Sequence, residues 1–288
     1  MKISGLKIAE YLQKVLSHEV IKLGKKHPIK LVVFLAKETP DQLSFVKIKS
    51  QMAKKLKVGF ELINFKRTPL FQKFAYLLKE RANDISTTGV IIQQPLPQEL
   101  STDSIYNYIP QNKEIEGVKK KSPFYPAIGL SVLTTIKYIY GDQKLSPSLF
   151  IDIKKDRLFF KKLFKNKKVV LVGRGITGGK PIGKLLTEVK INYLSINSQT
   201  PDAQNYFKNA DLIITAVGQK VLDATMLKPG VVLINVGLRK EGNRLKGDYD
   251  EDEIKDIAST YTTTPGGVGP IDVVYLYKNL IDAAKLQK

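Results

Sequence analysis

The sequence predicts a two-domain α/β protein. Its 288 residues, 43% of them hydrophobic, are enough to bury the cores of two domains. Short apolar runs that are typical of buried strands alternate with segments of helical periodicity, and this alternation is interrupted once, near the middle of the chain. Such an alternation indicates largely parallel sheets with helices packed on their faces.

The first series of strands and helices lies in the N-terminal part of the chain. Strands are predicted at residues 31–35, 60–64 and 90–92, and helices at residues 8–23, 45–56 and 70–78. A further helix is predicted at 130–140. It leads into a charged segment, 141–168, which contains Pro and Ser and lacks clear periodicity, so we interpret it as an insertion or hairpin between the domains.

A second series follows this segment. Strands are predicted at 168–172, 191–196, 211–217 and 231–236, and helices at 180–188 and 271–286. The predicted first domain comprises residues 1–122, with the final helix, within 271–288, packing back onto it. The predicted second domain comprises residues 123–270.

Composition narrows the classes of function. The chain has no cysteine and only two histidines, His18 and His27, which disfavours disulfides and a metal centre. The net charge of +20 would attract polyanions. The lysines are spread along the chain without a recognised nucleic-acid motif, so a solvated surface is favoured over a nucleic-acid partner. No apolar run of membrane-spanning length and no cleavage site occur, and we expect a cytoplasmic enzyme without a membrane partner.

A glycine-rich turn predicts a nucleotide site. Residues 173–178 read G-R-G-I-T-G directly after a predicted strand and before a helix, which is the context that a dinucleotide-binding G-x-G-x-x-G requires. The alternative is a tight turn that holds no ligand. The next strand ends without an acidic residue, whereas Arg174 and Ser198 are donors for a 2′-phosphate, so NADP is favoured over NAD.

Three other segments are candidates for binding or catalysis. On the helix that begins near Ser44, Phe45 and Lys49 share one face. Ile48, Met52 and Leu56 form the apolar stripe predicted to pack against the sheet, and a lysine at the edge of such a stripe is more often a surface residue.

The segment 89–97 reads as a buried strand that ends in Gln93, Gln94 and two prolines, and open α/β sheets place ligands at strand ends. Its alternative interpretation is a simple strand stop. The segment 264–270 packs three glycines between prolines, which suits a backbone lying against a flat ligand or a plain chain reversal.

Together these segments resemble the methylenetetrahydrofolate dehydrogenase/cyclohydrolase family over nearly the whole chain and in the same order. In the first domain, F-V-K-I-K at 45–49 is similar to Y-V-x-x-K, residues 90–97 to a strand ending in Q-L-P-L-P, and K-E-I-E-G at 113–117 to K-D-V-D-G. In the second, V-G-R-G at 172–175 is similar to V-G-R-S, residues 210–218 to A-D-I…A-V-G, and N-V-G-L at 235–238 to D-V-G-I. Residues 265–270 reproduce P-G-G-V-G-P letter for letter.

The resemblance implies a fold, a reaction and an assembly. It implies an N-terminal α/β catalytic domain that binds tetrahydrofolate derivatives and a Rossmann-type nucleotide-binding domain, with the folate in a cleft between them. It implies oxidation of 5,10-methylenetetrahydrofolate by NADP, hydrolysis of the methenyl product to 10-formyltetrahydrofolate, and a homodimer formed through the nucleotide domain.

The resemblance also implies roles for residues. Lys49 is the principal polar catalyst of hydrolysis, Gln93 positions and tunes it, and Glu116 holds the pterin ring. A lysine that acts as a base must be partly neutral near pH 7. The folate side comprises Phe45, Ile92, Gln94, Pro265, Gly266, Gly267, Val268 and Gly269. The cofactor side comprises Gly173, Arg174, Gly175, Ser198 and Leu238.

Departures from the family motifs concentrate in the predicted site. Phe45 replaces a tyrosine, Glu116 an aspartate and Gln94 a leucine, while Gly175, Asn197 and Asn235 replace a serine, a histidine and an aspartate. Residues 123–126 read P-F-Y-P where the family has P-C-T-P. Two alternatives therefore stay open: an enzyme that keeps only one of the two activities, and a catalytically silent folate- or nucleotide-binding protein.

Overall fold

The structure, a computed structural model, describes residues 1–24, 28–242 and 244–287. His27 and Lys288, which the predictions above include, lie outside these ranges. The chain divides into two compact units. We call them the six-stranded unit, Met1–Leu12 with Ile128–Asp272, and the three-stranded unit, Gln13–Ala127 with Val273–Lys288.

The three-stranded unit is built on a parallel sheet with the strand order β3-β2-β4. Its strands are β2 (Lys30–Leu35), β3 (Gly59–Asn64) and β4 (Gly89–Ile92), and its helices include α2 (Pro40–Leu56) and α3 (Phe71–Asn83). Two 3-10 helices, Gln98–Leu100 and Asp103–Tyr108, follow β4. Helices α1 (Gly5–Gly24) and α9 (Val268–Leu286) begin in residues of the six-stranded unit and continue in this one.

One hydrophobic cluster of the three-stranded unit lies on the face of the sheet that α3 covers. The buried rings of Phe34 and Phe74 meet edge to face with their centroids 5.6 Å apart, in one cluster with Ile92. After Lys30, the central strand β2 is an unbroken apolar run because both of its faces are buried.

The six-stranded unit is also built on a parallel sheet, with the order β1-β11-β8-β7-β5-β6. Its strands are β1 (Lys2–Ile3), β5 (Val169–Val172), β6 (Leu194–Ile196), β7 (Leu212–Thr215), β8 (Val232–Asn235) and β11 (Thr260–Thr262). Its helices include α4 (Ala127–Tyr140), α5 (Ile153–Leu163), α6 (Gly179–Glu188), α7 (Ala203–Phe207) and α8 (Glu251–Ile254). A separate antiparallel hairpin joins β9 (Arg239–Glu241) to β10 (Arg244–Lys246), and 3-10 helices occur at Pro147–Leu149 and Ala224–Met226.

The strand order reverses at β5, which has β6 on one side and β7 on the other. The carboxyl end of β5 is therefore the topological switch point of this sheet, where open α/β folds bind their ligands. Gly173 is the first residue after that strand. The fold thus places the predicted nucleotide turn at the expected position.

The predicted fold class is confirmed, and two boundaries differ from the prediction. The units divide between Ala127 and Ile128 rather than after residue 122. Residues 1–12 join the six-stranded unit, because β1 pairs in parallel with β11. A two-residue strand is too short to leave a periodic pattern in the sequence. Among the described residues, no helix has the length and hydrophobicity needed to cross a membrane.

Residues 141–168 are an integral part of the six-stranded unit, and their interpretation as an insertion or hairpin is wrong. Asp152 caps α5 by accepting hydrogen bonds from the backbone N–H groups of Lys154 and Lys155. Phe160 is fully buried, and the Phe164 ring meets Tyr140 edge to face at 5.4 Å. The helix buries only a narrow stripe between many lysines, which hides its periodicity in the sequence.

Candidate active site

Helix α2 carries the first candidate catalytic residue, and the local sequence fixes where the helix begins. The Thr39 side chain caps it by accepting a hydrogen bond from the backbone N–H of Gln42 at 3.3 Å. Pro40 is the first helical residue, a position at which no intrahelical N–H is needed. The Gln42 side chain donates to the carbonyl oxygen of Pro95 at 2.8 Å, which ties α2 to the loop after β4.

The buried face of α2 differs from the predicted one. Val46, Ala53 and Leu56 are buried, whereas Ile48 is 45% exposed and Met52 is half-buried. The prediction that Ile48 belongs to the stripe packed against the sheet is therefore wrong. A helix of this composition offers two apolar stripes, and the packing partner selects between them.

Lys49 therefore lies on the buried face of α2 rather than at its edge. Lys49 lies three residues after Val46 and four before Ala53, so its stem runs along the same stripe. Its Nζ donates a hydrogen bond to Oε1 of Gln93 at 2.9 Å, and Gln93 is only 7% exposed. The structure therefore brings together the two residues that the sequence singled out from segments 44 positions apart.

Two further contacts hold this pair. Nε2 of Gln93 donates to the main-chain oxygen of Gln94 at 2.8 Å, so both ends of the Gln93 amide are used. The buried hydroxyl of Tyr277, on α9, donates to the main-chain oxygen of Lys49 at 2.7 Å. Phe45, the predicted substrate contact one turn before Lys49, is 41% exposed.

Two predicted substrate contacts at the end of β4, Ile92 and Gln94, differ in their burial. The Ile92 side chain is fully buried in the hydrophobic core. Its predicted contact with a substrate therefore stays a prediction that concerns its backbone. Gln94 is half-buried, and its amide is engaged within the protein. Its Oε1 accepts from the backbone N–H of Leu96 at 3.1 Å, and its Nε2 donates to the Tyr106 hydroxyl at 2.9 Å. Tyr106 is not predicted from the sequence, because the 3-10 helix that carries it leaves no motif.

A buried carboxylate shapes the turn that carries Glu116. Glu114, only 1% exposed, accepts hydrogen bonds from the backbone N–H groups of Glu116, Val118 and Lys119 at 2.8, 3.1 and 3.2 Å. Burial raises the pKa of Glu114 above its usual range, while these N–H groups act in the opposite direction. Glu114 therefore organises the turn, and Glu116 remains half-buried beside it.

Helix α9 secures the same turn from the other end of the chain. Nδ2 of the buried Asn279 donates to the carbonyl oxygens of Ile115 and Tyr125 at 2.8 and 3.0 Å. Gly117 adopts a φ of 72°, and a Cβ there would lie 2.7 Å from the backbone nitrogen of Pro126. The turn therefore requires glycine.

The glycine-rich turn of the six-stranded unit is packed for close backbone approach. Gly173 has a φ of 104°, and a Cβ there would lie 2.4 Å from the carbonyl oxygen of Ala216. A Cβ on Gly179, the first residue of α6, would lie 1.9 Å from the carbonyl oxygen of Gly173. Around the Cβ position of Gly175 there is nothing within 4 Å. Gly173 and Gly179 therefore serve the fold, whereas Gly175 leaves an open space on the surface.

The guanidinium of Arg174 is held by Ser195. Its Nε donates to Oγ of Ser195 at 3.1 Å and its Nη2 to the main-chain oxygen of Ser195 at 2.8 Å. Ser198 is exposed in the turn after β6, where Asn197 and Thr200 hydrogen-bond to each other. Ser195, on β6, is therefore the residue through which the fold holds the guanidinium.

A buried network of polar side chains lies at the carboxyl edge of the same sheet. No motif in the sequence predicts this network. Asn235 accepts from the Thr215 hydroxyl at 3.0 Å and from the backbone N–H of Asp248 at 2.8 Å. It donates to the carbonyl oxygen of Gly237 at 2.8 Å and to Oγ1 of Thr264 at 2.7 Å. An asparagine can both donate and accept here, which the ionised aspartate of the family motif cannot do.

Asp248 holds the turn after β7. Its carboxylate, fully buried, accepts from the backbone N–H groups of Val217, Gly218 and Gln219 at 2.9, 2.8 and 3.1 Å. Burial raises the pKa of Asp248, and the N–H bonds counteract this effect. Leu238, predicted on the cofactor side, is 43% exposed.

The turn at 265–270 is packed against the start of α1. A Cβ on Gly5 would lie 1.7 Å from the carbonyl oxygen of Gly267, and Leu6 N donates to the carbonyl oxygen of Gly266 at 3.1 Å. Val268 is 2% exposed, so its side chain belongs to the core. Pro265 and Gly269 are exposed, whereas Gly267 is buried. The glycines thus allow a close packing of backbones.

Two models of one family match the chain. Residues 3–116 match the catalytic domain of the tetrahydrofolate dehydrogenase/cyclohydrolase family. Residues 159–288 match its NAD(P)-binding domain. Together the two matches cover most of the chain.

Relatives and solved structures agree with these matches. The "Bifunctional protein FolD" of Staphylococcus aureus is 29% identical over 298 residues, an alignment that covers 99% of this chain and 97% of that protein. The bifunctional enzyme FolD from Campylobacter jejuni has a TM-score of 0.85 at 24% identity, covering 100% of this chain and 99% of that one. The Trypanosoma brucei enzyme, complexed with NADP cofactor and inhibitor, has a TM-score of 0.84 at 20% identity, covering 99% and 97%.

The structural likenesses show a shared fold, and the matches to both family models show the kinship. The resemblance inferred from the motifs is confirmed. The chain belongs to the tetrahydrofolate dehydrogenase/cyclohydrolase family.

Proposed function

We propose that the protein oxidises 5,10-methylenetetrahydrofolate with NADP and hydrolyses the 5,10-methenyl product to 10-formyltetrahydrofolate. The observation that carries this proposal is the hydrogen bond between Lys49 and Gln93 at the carboxyl end of β4, in a chain of this family. That strand end is where a parallel sheet presents groups to a ligand.

Hydrolysis requires a base close to an electrophilic carbon. Oxidation leaves a cationic carbon between two nitrogens of the folate, and water adds to it as a proton leaves. The neutral amine of Lys49 can keep its donated hydrogen bond to Gln93 while its lone pair takes that proton. The hydroxyl of this adduct then loses its proton as the C=O bond forms, the bond from the carbon to N5 breaks while N5 takes up a proton, and the formyl group remains on N10.

Glu116 is proposed to bind the pterin ring. A carboxylate can accept two parallel N–H bonds from an aminopyrimidinone such as the pterin carries. Glu114 and Asn279 hold the turn beneath Glu116, so that a side chain one methylene longer than aspartate starts from a fixed backbone. The exposed ring of Phe45 is proposed to stack on the folate without the hydroxyl of a tyrosine.

The residues of the glycine-rich turn fit a dinucleotide. The close packing of Gly173 and Gly179 brings the start of α6 next to the strand end, where backbone N–H groups can bind a pyrophosphate. Arg174 on Ser195 supplies a cation for a 2′-phosphate, and the turn at 197–200 contains no acidic residue to repel it. NADP when bound accepts the hydride that the folate loses.

We further propose that the protein is a cytoplasmic homodimer formed through the six-stranded unit. The family resemblance motivates this assembly. Strand β6 lies at the edge of the sheet, and Leu194 on it is 41% exposed. An exposed edge strand with an apolar side chain is a ready surface for pairing with a second copy.

Two assays test the proposed activities. Purified protein given methylenetetrahydrofolate and NADP should produce methenyltetrahydrofolate, followed by its absorbance. A separate assay should show accelerated hydrolysis of added methenyltetrahydrofolate. Turnover in neither assay, with NADP or NAD, would contradict the proposal, and turnover in only one would favour the enzyme with a single activity.

A pair of variants tests the role of Lys49. Lys49→Ala should lower the rate of hydrolysis about a hundredfold or more, because a positioned acid–base group contributes at least that much. Lys47→Ala, on the exposed face of the same helix, is the matched control and should leave the rate unchanged. Equal rates in the two variants would remove Lys49 from the chemistry.

A further inference from the structure

Gln94, one of the departures from the family motif, directly follows Gln93, and its main-chain oxygen accepts a hydrogen bond from the Gln93 side chain. Both ends of its amide are engaged: Oε1 accepts from Leu96 N at 3.1 Å, and Nε2 donates to the Tyr106 hydroxyl at 2.9 Å. The leucine of the family motif can make neither bond. The Gln94 side chain therefore has partners within this loop and its neighbouring 3-10 helix that a leucine would lack.

Tyr106 is held as a neutral phenol. Burial and the negative charge of Glu116 raise its pKa, and the weaker opposing effect is the hydrogen bond from Gln94. The hydroxyl accepts the Gln94 amide and keeps its own proton to donate. Tyr106 thus contacts the loop after β4 through Gln94, and its pKa responds to the charge of Glu116, the carboxylate proposed to bind the pterin.

The main chain of Gln94 connects the Gln94–Tyr106 contact to Gln93 and, through Gln93, to Lys49. Its carbonyl oxygen accepts from Nε2 of Gln93 at 2.8 Å, while Oε1 of Gln93 accepts from Lys49 at 2.9 Å. If the Gln93 amide were flipped while the Gln94 carbonyl stayed in place, its NH2 group would face the donating Nζ of Lys49. Its oxygen would then face the carbonyl oxygen of Gln94, so both hydrogen bonds would be lost. The position of the Gln94 backbone therefore decides which atom of Gln93 faces the lysine.

We propose that Gln94 and Tyr106 are positioning residues for the hydrolysis, which hold the loop carbonyl that orients Gln93 and, through it, Lys49. This inference rests on the proposed function. Neither residue needs to touch the substrate, because both act through the Gln93 amide.

The test uses the full-length protein and three variants: Gln94→Leu, Tyr106→Phe and the double variant. Both single changes remove the hydrogen bond between Gln94 and Tyr106, and Gln94→Leu also removes the one from Leu96 N. Each should lower kcat for hydrolysis about three- to tenfold, and the double variant should lose no more than Gln94→Leu alone. The KM for methenyltetrahydrofolate should be unchanged. Dehydrogenation should be retained, since it does not depend on the Lys49 base.

Matched controls come from the same segment. Tyr108→Phe removes a hydroxyl from the same 3-10 helix, and Gln98→Leu changes an exposed glutamine in the next turn of chain. Both should keep wild-type kcat. Equal losses in both activities, additive losses in the double variant, or unchanged hydrolysis in Gln94→Leu and Tyr106→Phe would overturn the proposal.

A spectroscopic measurement separates this inference from the proposed function. The side-chain amide resonances of Gln93, assigned by their disappearance in Gln93→Met, should shift in Tyr106→Phe and not in Tyr108→Phe, without any substrate present. Unmoved resonances would overturn the positioning role even in an active enzyme. Shifted resonances in a protein that turns over no folate would uphold the contact and overturn the function.

Discussion

Single residues decide the chemistry of this chain, and several of them depart from the family motifs in ways that the structure explains. Asn235 replaces an aspartate because its site needs a donor as well as an acceptor, for Thr264 and Asp248. Gln94 replaces a leucine, and its side-chain amide donates a hydrogen bond to the Tyr106 hydroxyl. Gly175, by contrast, replaces a serine and leaves open space where the hydroxyl would be.

The open space at Gly175 leads to a prediction about NADP affinity. Gly175→Ser should bind NADP about three- to tenfold more tightly, because one added hydroxyl can donate to a phosphate oxygen. Nothing lies within 4 Å of the new Cβ, so the substitution needs no rearrangement. Titration calorimetry measures the change. Gly175→Ala is the control that adds the carbon without the hydroxyl, and an equal gain in both variants would contradict the role of the hydroxyl.

Among the elements, α2 and α5 show how packing and capping compete with sequence pattern. On α2, the buried stripe passes through Val46 and Ala53 instead of Ile48, which turns Lys49 inward. On α5, a cap and two buried positions, Ile153 and Phe160, build a helix in a segment that shows no clear periodicity. In both cases the local pattern allowed a helix, and its contacts selected the face that is buried.

The cap of α5 leads to a prediction about stability and its pH dependence. Asp152→Ala should lower the free energy of unfolding by about 1 kcal/mol at neutral pH, the usual cost of removing a helix cap. Hydrogen bonds from the backbone N–H groups, that of Lys155 first, lower the pKa of Asp152 in the folded state. The stabilisation is therefore present above the unfolded-state pKa and is lost as the pH falls through the lowered folded-state value.

Denaturant unfolding at neutral and acid pH measures this effect. The difference between wild type and Asp152→Ala should shrink as the pH falls. Asp142→Ala, an exposed aspartate outside any helix, should change stability by less than about 0.5 kcal/mol at either pH. A difference for Asp152→Ala that persists in acid would show that the carboxylate is not the stabilising group.

At the scale of the whole molecule, the chain is two α/β units, each with a parallel sheet, and the proposed assembly adds a second copy. We expect light scattering to give twice the chain mass of 32.3 kDa. Leu194→Lys on the edge strand β6 should yield monomers, because a charged edge resists pairing. Leu245→Lys, an exposed leucine on the β9–β10 hairpin, should remain dimeric. A wild-type mass of a single chain would contradict the homodimer.

The sequence by itself determined the α/β class, the glycine-rich turn after β5, and Lys49 and Gln93 as candidates, because these features are written in short runs of neighbouring residues. Only the tertiary structure decided which face of α2 is buried, that Arg174 contacts Ser195, that Tyr106 contacts Gln94, and that Asp248 holds the turn after β7. Those contacts join segments that are distant in the chain and carry no local pattern, since a buried polar group requires a partner but does not specify where along the chain that partner lies.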